Sequence, residues 1–179
     1  MDYFRNEDKW VDKPTSLYNN VLAVSFSNEG PEPVTVEQLK AYGKIENDYD
    51  DDVVAALGVT ARQMCEQYIN VGFIQRTVTA GIDNANGNFL LPYGPVTGDV
   101  TGVLDDDTEV TDIEVSMGQL TSPTGRLTVT YTGGHSILPS QLVTALKQQF
   151  LFLYENRGEG TTELSPLAKM ILAPLRMVV

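Results

Sequence analysis

Apolar residues recur in two different periods along this chain: every three to four residues near both ends of its main part, and every two residues in the middle. Val53, Leu57, Ala61, Met64, Cys65 and Tyr68 share one face of a predicted helix over residues 50–69. The carboxylates Asp48, Asp50, Asp51 and Asp52 cluster at its start, where aligned peptide dipoles stabilise each by about 0.3–1 kcal/mol. Gly58 weakens the helix by roughly 1 kcal/mol against alanine, which points to a close helix contact there. Thr35 and Gln38 have the spacing of a capping box and open a shorter helix over residues 35–42, stopped by Gly43. Leu142, Leu146, Phe150 and Leu153 form the stripe of a second long helix over residues 139–157, with Val143 and Tyr154 flanking it. Arg157 and Gly158 are its stop signals. Ser165 as cap and Pro166 in the first turn begin a last helix over residues 165–173, which Pro174 ends.

Over residues 73–132 the period becomes two. The runs at 74–80, 88–91, 98–104, 111–117 and 126–132 are rich in Val, Ile, Thr and aromatic residues, with turns such as "DNANGN" and "PYGP" between them. Four or five antiparallel strands are expected. Residues 1–33 differ again, with Pro14, Pro31, Pro33, a turn-like stretch "TSLYNN" at 15–20 and one alternating run, "VLAVSF" at 21–26. They read as an extended arm carrying one strand, docked on its own or a neighbouring subunit, ahead of a main unit over residues 34–179. Because strands and helices come in blocks without βαβ alternation, the fold class is α+β: a small helical core with an antiparallel β insertion.

Charge narrows the function. The net charge is −12, and between Arg76 and Arg126 there is no basic residue, while Asp83, Asp99, Asp105, Asp106, Asp107, Glu109, Asp112 and Glu114 fall in that stretch. Nucleic-acid affinity comes mostly from Lys and Arg releasing counterions, so this surface does not grip phosphates. It is either a solvated acidic face or one that lets DNA slide past. A single cysteine excludes an internal disulfide and fits a reducing cytoplasm. No signal-peptide pattern opens the chain, and no apolar run approaches the roughly 18–20 residues needed to cross a bilayer. A soluble protein is expected.

Catalytic patterns are weak. His135, the one histidine, lies in "TGGHSILP", where a turn role is the default, and no G-x-S-x-G elbow accompanies it. Cys65 on an apolar face reads as a small buried hydrophobe. Zinc needs more Cys and His ligands than the chain has. Asp48, Asp50 and Asp52 match the first ligand positions of an EF-hand loop, but Val53 and Val59 stand where glycine and a bidentate glutamate are required. The set Asp105, Asp107 and Glu109 fails at Ser116 in the same way. No phosphate-binding glycine loop is present. The expectation is a non-enzyme with no cofactor and no metal.

Three stretches in order carry a resemblance: "VTVEQLKAYGKIENDYDDDVVAALGVTARQMCEQYINVGFIQRT" at 34–77, "LPYGPV" at 91–96, and "LTVTYTGGHSILPSQLVTALKQQFLFLYENRG" at 127–158. With "LSPLAKMILAPLR" at 164–176, the chain resembles the head-tail connector (adaptor, head-completion) family of tailed bacteriophages. Residues 1–33 lack a counterpart. The resemblance implies a homo-oligomeric ring, commonly of twelve subunits, between the portal protein and a downstream connector or tail protein. It implies a place in the virion, with assembly in the host cytoplasm and DNA passing through without specific binding. Tyr154, Glu155, Asn156 and Arg157 are the carried-over motif residues. The resemblance further implies that the C-terminal segment engages the portal, through Leu164, Leu167, Met170, Ile171, Leu175 and Arg176. A closed ring also needs two complementary faces, for which Lys40, Lys44, Arg62 and Arg76 offer a basic side and the arm a clasp. The rival readings are a tail-completion or tail-tube subunit, and a small enzyme or ligand-binding module with Asp and Tyr residues around a sheet pocket.

Overall fold

The computed structural model describes residues 21–84, 87–104, 108–110, 113–157 and 163–176. The expected arm before residue 21, the acidic residues 105–107 and 112, and the stop signal Gly158 lie outside the described residues. Helices and antiparallel sheets make an α+β fold, as the patterning predicts.

Helix α1 (Val36–Gly43) starts at a complete capping box: Thr35 Oγ1 accepts from Gln38 N, and Gln38 Oε1 accepts from Thr35 N. The residue that turns the chain away from it is Lys44, left-handed at φ 53°, one place beyond the predicted glycine stop. Helix α2 (Asp51–Ile69) and helix α3 (Ser140–Glu155) pack against each other, and α4 (Pro166–Leu172) closes the group. Their shared core holds Val54, Cys65, Ile69, Leu146, Phe150 and Leu172. Gly58 makes the expected close contact, since a Cβ there would lie 2.7 Å from Leu39 Cδ1 of α1.

The α3 stripe falls where predicted, with Leu142, Leu146, Phe150 and Leu153 all buried. The α2 stripe does so only in part, with Ala61 and Cys65 fully buried. Its buried positions are Val54, Gly58, Ala61, Arg62, Cys65, Glu66 and Ile69, whereas Val53 is 39% exposed. Leu57, Met64 and Tyr68 are only partly buried at the margin. The helix is rotated from the all-apolar solution because Arg62 and Glu66 neutralise each other and enter the interior together. A buried charge is tolerated once paired and hydrogen-bonded.

The β half contains two sheets. One has the order β1-β2-β8-β4-β5, built from β1 (Val21–Ser27), β2 (Arg76–Asn84), β4 (Val96–Leu104), β5 (Glu109–Val110) and β8 (Gly125–Gly133). The other is β3-β7-β6, from β3 (Asn88–Leu90), β6 (Glu114–Ser116) and β7 (Gln119–Thr121). Every pairing between these strands is antiparallel. Strict alternation on β2 and β8 turns Val78, Ala80, Ile82, Leu127, Val129 and Tyr131 inward, where Phe89 and Leu120 from the second sheet meet them. The strand expected over 111–117 is instead the short β6. It turns through Met117 (φ 52°) and Gly118 (φ 81°) into β7, which the periodicity did not single out. Two successive positive φ values are the two-residue hairpin geometry that normally calls for Asn-Gly. A methionine at the first position hid the turn.

Candidate functional site

The helical core and the sheet meet at a joint built by residues 70–76, 91–95 and 133–135. Asn70 ends α2 in the left-handed region, and its carbonyl accepts from Tyr93 N at 3.2 Å. Gly72 N donates to Gly94 O at 2.8 Å, Gly134 N to Pro95 O at 3.0 Å, and His135 N to Gly72 O at 3.1 Å. Tyr131 donates its hydroxyl to Pro92 O at 2.5 Å. The "LPYGPV" and "YTGG" motifs thus meet in space. They fix the angle between the two halves of the molecule.

Beneath the joint lies a charge cluster. Glu66, 2% exposed, accepts from Phe73 N at 2.6 Å with one carboxylate oxygen. With the other it accepts from Arg62 Nη1 at 2.9 Å and Arg76 Nη2 at 3.0 Å. Glu32 takes Arg62 through Nε at 2.9 Å and Nη2 at 3.0 Å, and Glu29 stands 3.5 Å from Arg76 Nη1. The Arg76 guanidinium also lies over the Phe26 ring of β1, 3.8 Å from its centroid. Burial alone would pull Arg62 down, but Glu32, Glu66 and Glu29 outweigh it and hold its pKa above the ordinary arginine value. The cluster locks the segment after β1 and the start of β2 onto α2.

Arg62 and Arg76 therefore belong to no outward basic face. Lys40 is also engaged, 2.6 Å from both Asp48 and Asp51. The complementary basic side expected from Lys40, Lys44, Arg62 and Arg76 is not formed. Three of the four hold carboxylates of their own chain.

The motif residues at the end of α3 make a second intramolecular tie. Tyr154 donates its hydroxyl to Asp50 Oδ2 at 2.9 Å, and Arg157 Nη1 reaches the same oxygen at 3.2 Å while its guanidinium stacks 4.2 Å from the Tyr154 ring centroid. Asn156 turns its side chain back to Phe152 O at 2.7 Å, and Glu155 is exposed. The Tyr154 hydroxyl, with Arg157 adding to it, holds the Asp50 carboxyl below the usual aspartate range. A group whose folded value is lowered contributes stability above its unfolded value, about 3.9, and loses it as pH falls through the folded value. Asp50→Asn should therefore show a shallower loss of urea resistance between neutral pH and about pH 3 than the parent chain. Equal acid limbs would show that the tie is absent in solution.

In the C-terminal segment, buried Gln149 of α3 accepts from Ser165 N at 2.7 Å and donates to Glu163 O at 3.2 Å. Ser165 caps α4 by accepting from Ala168 N. Leu164 is buried in the helical core and Ile171 packs partly against it. Leu167, Leu175 and Met170, the last 68% exposed, face outward. Arg176 stacks over Tyr68 at 5.2 Å.

Other chemistry finds little support. An open groove of about 680 Å³ lies between the segment after β1 and the start of α3, with Glu32, Gln75, Arg76, His135 and Ile137 on its walls. Its walls carry neither aspartate nor tyrosine, and a second groove, of about 350 Å³ beside β1, carries Tyr68 and Tyr93 but no aspartate. Burial lowers the His135 pKa, favouring the neutral ring. The Cys65 thiol is buried and pushed up to about 12, so it is inert at neutral pH. Among the described residues no group of three His, Cys, Asp or Glu side chains is arranged to hold a metal ion. No described helix is long and apolar enough to cross a membrane.

No protein-family model matches the sequence, and no curated protein matches it. Solved structures do. The fold is similar to that of chains from gene transfer agent particles. A chain from the neck of an empty particle, computed with C6 symmetry, superposes with a TM-score of 0.71 at 17% identity, over 88% of this chain and 97% of that chain. A chain from the virion of the native particle gives 0.67 at 18% identity, over 88% and 96%. One from the native neck computed with C12 symmetry gives 0.62 at 19%, over 87% and 96%. Near-complete coverage in both directions means that the helical core and the β insertion are shared as one unit.

Proposed function

We propose that this chain is a structural neck protein of a phage-type particle: a head-tail connector adaptor that forms a ring beneath the portal and joins the DNA-filled head to the tail or to the next connector protein. The observation that carries the reading is the fold shared along almost the whole chain with a particle neck component. The ring is taken to be homo-oligomeric with twelve copies, in keeping with the symmetries used for those necks. Outward Leu167, Met170 and Leu175 are the apolar contacts offered to the portal, with Ile171 and Arg176 beside them. Leu164 supports that surface from within. Of the motif residues, Tyr154 and Arg157 fix the end of α3 against Asp50, Asn156 closes the last turn on Phe152 O, and exposed Glu155 is left for a neighbour. Asp99, Glu109 and Glu114 are exposed on the β half, while Asp83 stands across from Arg126 in the β2–β8 ladder; acidic residues turned toward the ring's lumen would repel DNA phosphates and leave DNA free to move.

Particles assembled without the chain test this. Heads should package DNA, then lose it and fail to join tails, and adding the purified chain should restore both. Heads that keep their DNA and join tails in its absence would overturn the proposal. If the chain copurifies with tails and never with tail-less heads, the tail-completion reading replaces it.

A further inference from the structure

The two edges of the five-stranded sheet are built differently. On one side β5 has only two residues, and β4 leaves its ladder with β8 between Thr97 and Thr101, with Asp99 exposed in the irregular stretch. A short edge strand, a bulge and an outward charge are the devices by which sheets prevent further pairing. On the other side β1 runs seven residues, VLAVSFS, with neither a charge nor a proline. Residues 23–27 pair in unbroken register with 77–81 of β2, and among the described residues no other strand pairs with β1. Leu22 is 57% exposed and Phe26 39%. An uncharged edge of this length is a template for another strand.

The chain itself supplies a candidate. In the sequence, residues 1–20 come directly before Val21, the first described residue of this edge strand; twenty residues fully extended can span up to about 66 Å, at roughly 3.3 Å each. Folding back in cis by a two-residue turn at Asn19 and Asn20 fixes the register, because each hairpin turn dictates its pairing. Tyr18 then faces Val21, and Pro14 faces Ser25 in the middle of the ladder. Proline there has no N–H to donate. The cis hairpin would also be founded on the irregular step between Val21 and Ala23. In trans the register is free, and residues 15–20, "TSLYNN", can lie along residues 21–26 with Pro14 beyond the end.

We propose that the outer edge of β1 binds residues 15–20 of a second copy of this chain, adding a strand in trans. Passed from copy to copy, the contact is head-to-tail, the kind that closes a ring. To that extent it rests on the ring reading given above.

The test uses full-length chains in trans. Ser25→Cys chains are mixed under oxidising conditions with chains carrying Ser16→Cys, Leu17→Cys or Tyr18→Cys, with Lys147→Cys as control. Buried Cys65 does not compete. At least one of the three pairs should give an inter-copy disulfide about tenfold above the control, since bridging needs close Cβ atoms. Ser25→Lys, at an exposed position, should keep the parent's melting temperature and lose self-association. Closed rings without the disulfide overturn this inference and leave the ring reading standing. The disulfide in open chains without rings does the reverse. Absence of both overturns both, and a bond within one chain of a Leu17→Cys/Ser25→Cys double variant at low concentration replaces trans pairing by cis.

Discussion

Glu66→Ala is expected to remove about 3–5 kcal/mol of folding stability, the loss typical of taking one partner from a buried ion pair. Glu66 is the single carboxylate that both Arg62 and Arg76 touch within 3.0 Å, and it also accepts from Phe73 N. Without it Arg62 still has Glu32, but Arg76 keeps only Glu29 at 3.5 Å, and its Nε already has no partner among the described residues. Phe73 N loses its acceptor as well, at about 1–3 kcal/mol for an orphaned buried donor. Glu66→Gln should fall between the parent and the alanine variant, because its amide oxygen can still accept from Phe73 N while the charge is gone. Urea denaturation reads the effect as a lower midpoint at unchanged slope. A loss under about 1 kcal/mol would mean that water already solvates the arginines.

That cluster also marks the limit of what was legible in the sequence. Local signals carried the elements well: the Thr35–Gln38 box, the Ser165–Pro166 start and the Leu142–Leu153 stripe each depend on residues a few places apart. Arg62 and Glu66 are four apart on a helix, a spacing that ordinarily reads as a solvent-side pair. Their burial follows from Glu29, Glu32 and Arg76, brought in by strand pairing from distant parts of the chain. The same holds for Arg157, read as a helix stop signal, whose partner Asp50 lies 107 residues earlier in the sequence. The β half was visible as alternation, yet its division into two sheets turned on a Met117–Gly118 hairpin that lacks the usual turn residues. The motif residues at 91–96 and 131–134 were visible only as part of the stretches that carry the resemblance. Their work is holding the joint, and surface exposure rather than motif membership picks out Leu167, Met170 and Leu175.

Gly134→Ala should be at least as damaging, on the order of 4–5 kcal/mol, in the range reserved for a specific structural lesion. Two effects combine there. Gly134 has φ +100°, and a Cβ built on it would lie 1.9 Å from the Ile74 carbonyl oxygen, a backbone atom. Gly72 and Gly133 crowd the same joint, with added Cβ atoms 2.8 Å from Gly134 Cα and 2.7 Å from Tyr93 O respectively, so neither strand has room to withdraw. Gly98 separates the two effects. Its φ is +75° with nothing within 4 Å of an added Cβ, so Gly98→Ala should cost only the left-handed penalty, about 1–2 kcal/mol. If calorimetry finds the two variants equally stable, the joint is pliable and conformation alone accounts for the glycine. If Gly134→Ala is the far worse of the two, close backbone contact is what demands glycine, and the amides of Gly72 and His135 should lose hydrogen-exchange protection in the same variant, because their bonds cross that joint.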